Sequence, residues 1–307
     1  MKKAILDLLK KNINKKFFDY IKSNIEVRKR SKFLNELRNN ILNFYQGNSL
    51  DAETKEVIDF LQLNPVSIFP YDFSKDYLVE DILVYNDDTN GLNYVVHKGK
   101  NMYFKRSMSV TSIKSLYRGL LLDQDMNSPH LYLTENFNLT PNDVIADIGS
   151  AEGNFSLSNI EKVKKVYLFE SDIEWIEALE ATFRPWKDKV VIINKYVTNY
   201  DSYETLNINS FYENNSDITF FKVDIEGEEQ NFLNACSELF ESDKNLKIAI
   251  CTYHKENDFV DFSKQLTEWG FVTEHSRGFM IFLYDPNIKA PFIRRGLIRA
   301  TKQTMIS

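Results

Sequence analysis

Glycine is scarce in this chain: ten in 307 residues, about 3% against a usual value of roughly 7%. A chain this sparing places a glycine where the backbone needs one, and Gly149 and Gly153 stand four residues apart. Cysteine is rarer still. Cys236 and Cys251 both lie in apolar patterns and are expected to be buried free thiols. Two cysteines in a chain this long build no disulfide framework, and no zinc-ligand spacing is present. The expected setting is a reducing cytoplasm. Long apolar runs are absent: none approaches the roughly 18–20 residues of a spanning helix. The basic start Met1-Lys2-Lys3 is followed by an apolar stretch broken by Asp7 and Lys10, a poor secretory signal. What is there is 43% apolar and 27% charged, a composition that can bury a core and excludes disorder.

Charge is unevenly spread. Residues 1–40 carry 12 Lys/Arg and 4 Asp/Glu, and the remainder 26 and 40. The acidic remainder argues against a nucleic-acid partner, since phosphate contacts need a basic surface. The basic end reads as a solvated helix face, with peripheral membrane contact through residues 1–22 as the alternative.

Apolar stripes at helical spacing cover 3–22 and 26–45, and a third short helix covers 52–62, capped by Ser49 or Asp51. Residues 92–97 and 101–104 flank Lys98-Gly99-Lys100 as a β-hairpin, with a helix following at 109–122. From 143 onward strands alternate with helices. Strands are expected at 143–148, 165–170, 189–194, 218–225, 246–253, 270–275 and 279–284, and helices at 152–161, 172–182, 227–240 and 256–268. Such alternation predicts an α/β fold, a mostly parallel sheet with helices on both faces. Only Ser276-Arg277-Gly278 separates the last two strands, so they are expected to form an antiparallel hairpin. The expected divisions are a helical extension at 1–70, the hairpin and connecting helix at 71–125, the main domain at 126–285 and a basic tail at 286–307.

The first strand of that domain runs through Asp147 into Gly149-Ser150-Ala151-Glu152-Gly153-Asn154. Gly149 would allow a sharp turn and Gly153 a close backbone approach to a ligand, above the free N–H groups of a helix start. The pattern is not the three-glycine dinucleotide fingerprint. Glu152 would repel a pyrophosphate and favour a cationic ligand, so S-adenosylmethionine suits the turn better than NAD. Glu170 ends the second strand, 21 residues after Gly149, where an acid accepts hydrogen bonds from ribose hydroxyls. Lys222, Asp224 and Glu226 share a face by strand parity. Asp224, Glu226 and Glu229 are candidate oxygen ligands for a divalent cation.

With these stretches, and with Phe221-Lys222-Val223-Asp224-Ile225-Glu226-Gly227-Glu228-Glu229 and Cys251-Thr252-Tyr253-His254-Lys255, the chain resembles the FkbM-type S-adenosylmethionine-dependent methyltransferases over roughly residues 125–285. The resemblance implies a class I methyltransferase (Rossmann-like) seven-stranded sheet with one antiparallel strand, and O-methylation of a hydroxyl on a sugar or glycan precursor. The cofactor residues are then Asp147, Gly149, Ser150, Glu152, Gly153, Asn154, Glu170 and Asp224. Tyr196 and Val197 stand where adenine would lie. His254, at the end of the fifth strand, is the first candidate general base, His130 the second, and Asp224 would orient the acceptor hydroxyl. His97 and His275 read as structural and Trp175 as core. A homodimer through the extension, a non-catalytic cofactor-binding scaffold and a nicotinamide-dependent oxidoreductase stand as alternatives.

Overall fold

A computed structural model describes residues 15–242, 245–285 and 287–303. The N-terminal stripes form one continuous helix there, α1 (Lys15–Tyr45), rather than the two expected, and the start of the first lies outside the described residues. Nothing in 22–26 breaks a helix, because neither glycine nor proline stands there. Asp51 caps α2 (Ala52–Leu63), accepting hydrogen bonds from the Glu53 and Thr54 N–H groups.

The expected hairpin is present, and a short strand widens it to β1 (Tyr85–Asn86), β2 (Asn93–His97) and β3 (Lys100–Tyr103). Its turn puts Lys98 and Gly99 at φ 48° and 79°, the left-handed pair that matches strand twist. Ser109 caps α3 (Val110–Asp123).

The main domain then runs β4 (Val144–Ile148), α4 (Asn154–Asn159), β5 (Lys165–Phe169), α5 (Ile173–Phe183), β6 (Val190–Ile193), β7 (Tyr196–Thr198), β8 (Thr205–Asn207), α6 (Ile208–Asn214), β9 (Phe220–Val223), α7 (Glu229–Ala235), α8 (Ser237–Glu241), β10 (Leu246–Cys251), α9 (Asp258–Glu268), β11 (Val272–His275) and β12 (Leu297–Lys302). Seven of these strands form one sheet in the order β6-β5-β4-β9-β10-β12-β11, and only β12 is antiparallel to its neighbours. Seven strands with a single reversed one, the last in the chain, are what the resemblance implies.

Strand alternation feeds two cores. Ile145, Val166, Leu168, Phe220 and Leu297 face the side carrying the hairpin, α3 and α5. Val144, Ala146, Tyr167, Phe221 and Ile298 face α6 to α9. Trp175 is buried in the first core beside Phe104, as expected. His97 is structural: its ring nitrogens lie 3.2 Å from the Tyr117 hydroxyl and 2.7 Å from the Ser158 hydroxyl.

Three further expectations change. The reversed strand is 297–302, not 279–284, so the stretch taken as a basic tail holds a strand of the sheet, and Gly278 is not in a hairpin turn. The apolar run from Phe279 packs elsewhere: Met280, Ile281 and Leu283 join Leu37, Ile41, Val57 and Leu61 in a third core under α1 and α2. Arg299 and Lys302 are buried because their long side chains reach backbone carbonyls, Leu131 and Tyr132 for Arg299, Phe240 and Glu241 for Lys302. Lastly, the helix expected over 227–240 is two helices broken at Cys236.

Candidate active site

The loops beyond the C-terminal ends of β4, β5, β9 and β10 carry the expected residues at 149–154, 170, 224–229 and 254, and His130 joins Asp224 from the segment before β4. At β4 the Gly149 and Ser150 N–H groups both donate to Phe169 O at 3.0 Å, tying the turn to the end of β5. Gly149 has φ 74°, and a Cβ there would lie 2.1 Å from the Asp224 carbonyl oxygen. Its task is the close approach of two backbones. Gly153 also has positive φ, but a Cβ there would meet Phe183 and Leu179. It serves packing of the helix start on α5, not the approach of a ligand.

Glu170 is buried and holds the turn itself. Its carboxylate accepts hydrogen bonds from the Ala151 N–H at 2.8 Å and the Asp172 N–H at 2.7 Å. Each oxygen keeps a second lone pair. Lys222 lies beneath the turn, donating to Gly149 O at 2.6 Å and pairing with Asp147 Oδ1 at 3.1 Å, while Ser156 donates to Asp147 Oδ2 at 2.6 Å. Lys222 is thus a buried strut. Glu152 is buried at the helix start, and burial pushes its carboxyl up to about 7. Asn154 opens α4, Tyr196 is exposed, and Val197 is half-buried in β7.

Asp224, just past β9, is the hub of the other end. It accepts from the Tyr132 hydroxyl at 2.8 Å and the Tyr253 hydroxyl at 3.2 Å. His130 Nε2 lies 3.5 Å from its Oδ2, and His254 Nε2 lies 3.7 Å from its Oδ1. Burial opposes its ionisation, yet the hydrogen bond to His130 and the charge of Lys222 hold it well below the usual carboxylate range. Burial also disfavours both imidazolium ions. The Glu229 and Asp224 carboxylates outweigh it at His254, and Asp123 with Asp224 at His130, so both rings titrate above their ordinary value.

The parity expected for 222, 224 and 226 fails at its end. The strand stops at Val223, Glu226 takes φ 56°, and its side chain is 88% exposed. Its carboxylate still comes within 3.7 Å of His254 Nε2, but it does not gather with both Asp224 and Glu229 as the expected cation set. His254 takes its place: one donor atom each from Asp224, Glu229 and His254 lies within 4.8 Å of the others.

Several contributors were not singled out from the sequence. Tyr132 and Tyr253 stood unremarked beside His130 and His254. Asp123 closes the His130 side, with burial raising its carboxyl to about 6. Arg294 donates to the Tyr253 and His254 carbonyls at 2.9 and 2.7 Å. For Asp123 and Arg294 no local pattern marks the role, since each meets its partners only through the fold.

No family model and no curated protein matches the chain. Among solved structures, methyltransferase FkbM from Methylobacillus flagellatus KT is 15% identical at a TM-score of 0.42, over 82% of this chain and 66% of that one. This chain therefore spans just under two thirds of that protein. A putative transferase from Pyrococcus horikoshii is 14% identical at a TM-score of 0.41, over 71% and 73%. Trm5b from Pyrococcus abyssi is 13% identical at 0.37, over 68% and 54%. All three likenesses are weak.

Proposed function

We propose that the chain is an S-adenosylmethionine-dependent methyltransferase that transfers the methyl group to an oxygen, with a hydroxyl of a sugar or glycan precursor as acceptor. The observation that carries this reading is the ring of acids around the β4 turn. Asp147, Glu152, Glu170 and Asp224 surround it, and their one buried lysine, Lys222, is already engaged with Asp147 and Gly149. A buried carboxyl such as Glu152 is costly in its charged form. A ligand bearing positive charge would relieve that cost, and a dinucleotide pyrophosphate would add to it. Bound S-adenosylmethionine supplies an electrophilic methyl group.

In this reading Glu170 receives ribose hydroxyls on its remaining lone pairs, and the backbone beside Tyr196 and Val197 meets the adenine. Gly149, Ser150, Gly153 and Asn154 shape the turn and the helix start. Asp224 orients the acceptor hydroxyl, and the released proton passes into the cluster it forms with His254 and His130. The hydroxyl-and-carboxylate lining of Tyr132, Tyr253 and Asp224 suits a polyhydroxylated acceptor, and the acidic charge of the chain beyond residue 40 disfavours a polyanionic one.

Calorimetry with S-adenosylmethionine and with NAD tests the cofactor. Binding of the first alone is expected, and tight NAD binding without S-adenosylmethionine binding overturns the reading. A screen of sugar nucleotides and glycans should then yield a product heavier by one methylene. A product found only with RNA would overturn the acceptor class.

A further inference from the structure

We propose that His254, Asp224 and Glu229 form a binding site for one divalent first-row transition-metal cation, at the acceptor end of the pocket. The inference rests on reading the Asp224 end as the place where the acceptor oxygen sits. It starts from polar atoms left short of partners. Seven buried side-chain nitrogen and oxygen atoms among the described residues lack a hydrogen bond, and three of them meet here: His254 Nδ1, His254 Nε2 and Glu229 Oε2. Buried polar atoms are normally satisfied, so a cluster of exceptions points to a missing ligand. His254 is 6% exposed and Glu229 is fully buried.

The spacing suits coordination. One imidazole gives one nitrogen to an ion: His254 Nδ1 lies 3.0 Å from Glu229 Oε1, out of line for a hydrogen bond, and one donor atom each from His254, Glu229 and Asp224 lies within 4.8 Å of the others. Donors bound to a common ion at roughly 2.0–2.2 Å lie about 3 to 4 Å apart. The three side chains come from different elements, the end of β9, the start of α7 and the segment after β10, so the chain need not bend to gather them. Outer contacts brace them. The Ile225 N–H donates to Glu229 Oε1 at 2.9 Å, the Tyr253 hydroxyl donates to Asp224 Oδ1, and Arg294 holds the His254 carbonyl. One imidazole and two carboxylates suit Mn²⁺ or Zn²⁺ better than a soft ion or Ca²⁺. Asp224, at 20% exposure, leaves an open side where an acceptor hydroxyl could complete the shell and become more acidic.

A competing trio shares Asp224: His130, Asp224 and Cys251. It is less suited. Of its side chains only His130 keeps a buried atom without a hydrogen bond, Nδ1, and burial pushes the Cys251 thiol well above its ordinary range.

Mn²⁺ titration of the full chain without S-adenosylmethionine, followed by electron paramagnetic resonance, tests the site. One Mn²⁺ per chain is expected, with affinity at least tenfold weaker in His254→Ala and in Glu229→Gln and unchanged in Cys251→Ser. No saturable binding overturns the proposal, as does binding lost in Cys251→Ser but kept in His254→Ala. If the variants fail to fold, crystals soaked in Mn²⁺ decide the matter by whether the anomalous peak lies between the three side chains. Calorimetry with S-adenosylmethionine on the same protein separates the two readings. Cofactor binding without Mn²⁺ binding sinks only the metal site, and Mn²⁺ binding without cofactor binding sinks only the methyltransferase reading.

Discussion

The two ends of the candidate site are built on opposite terms. At the β4 turn the protein satisfies itself: the turn N–H groups go to Phe169 and Glu170, and Lys222 closes the carbonyl of Gly149. At Asp224 two histidines share one carboxylate, and His254 and Glu229 keep buried atoms without hydrogen bonds. The first end is a finished cradle whose shape exists without a ligand. The second withholds part of its bonding capacity, which costs stability and leaves groups ready for chemistry. Loss of the cradle's own hydrogen bonds or close backbone contacts should therefore appear as lost folding, and damage at the second end as lost rate.

The largest effect is expected at the cradle. Gly149→Ala sets a Cβ against the Asp224 carbonyl in a backbone conformation that L residues avoid, and neither backbone can retreat without breaking sheet bonds. A loss of about 4 kcal/mol or more is expected in urea denaturation, enough to unfold a marginal domain. A melting temperature within a few degrees of wild type would show that the cradle is not rigid. At the other end, His254→Ala and Asp224→Asn should cut kcat on the order of 10²–10⁴-fold, the usual range for groups that orient or take a proton. Each variant should lose less stability than Gly149→Ala. If they lose as much stability and keep rate, the contrast between the two ends is broken.

Much of this contrast was legible in the residues, for physical reasons. Buried parallel strands show as short apolar runs, and a glycine turn followed by an acid 21 residues on marks the β4 and β5 ends of the candidate site. Asp224 and His254 were findable because both follow such runs directly. Pairings set by the fold were not. Tyr132 meets Asp224 across 92 residues, and Glu229 meets His254 only because α7 starts beneath β10. The last strand escaped for a related reason. Leu297-Ile298-Arg299-Ala300-Thr301-Lys302 reads as a basic surface segment until backbone carbonyls are placed at the ends of Arg299 and Lys302. Phe279 to Tyr284 reads as a strand because an apolar run of that length fits a strand or any other core segment.

The next effect is smaller and depends on pH. Burial pushes the Glu152 carboxyl up to about 7 from 4.5, so unfolding releases a proton between those values and stability falls as pH rises through them. Burial lowers His97 from 6.5 to about 4, so unfolding takes up a proton between those values. Its contribution is complete above pH 6.5 and is lost as pH falls towards 4. Each term is worth about 3 kcal/mol across its window of roughly 2.5 units, at 1.36 kcal/mol per pKa unit. They oppose one another and largely cancel in the wild type. Denaturant midpoints against pH should separate them. Glu152→Gln removes the falling limb, gains stability near pH 8 and weakens S-adenosylmethionine binding about tenfold. His97→Gln removes the rising limb and leaves cofactor binding unchanged. If Glu152→Gln binds the cofactor as tightly as wild type, the acid plays no part in recognising its charge.

The smallest effect is expected at the rim of the cradle. The Tyr196 side chain is 59% exposed, and its backbone pairs β7 with Thr205 on β8. If the adenine is read there by backbone N–H groups, Tyr196→Ala should leave the calorimetric Kd for S-adenosylmethionine within about threefold, a difference below about 0.7 kcal/mol. A proline at 196 is the sharper probe, because it removes the N–H that donates to Glu204 O and so tests whether binding needs the β7–β8 backbone pair intact. Weaker binding in the proline variant, with the alanine variant unaffected, would extend the cradle's character to its rim: a surface whose recognition lies in preformed backbone. A large loss in the alanine variant would instead make Tyr196 a stacking side chain, and the cradle would depend, like the Asp224 end, on groups held ready for a ligand.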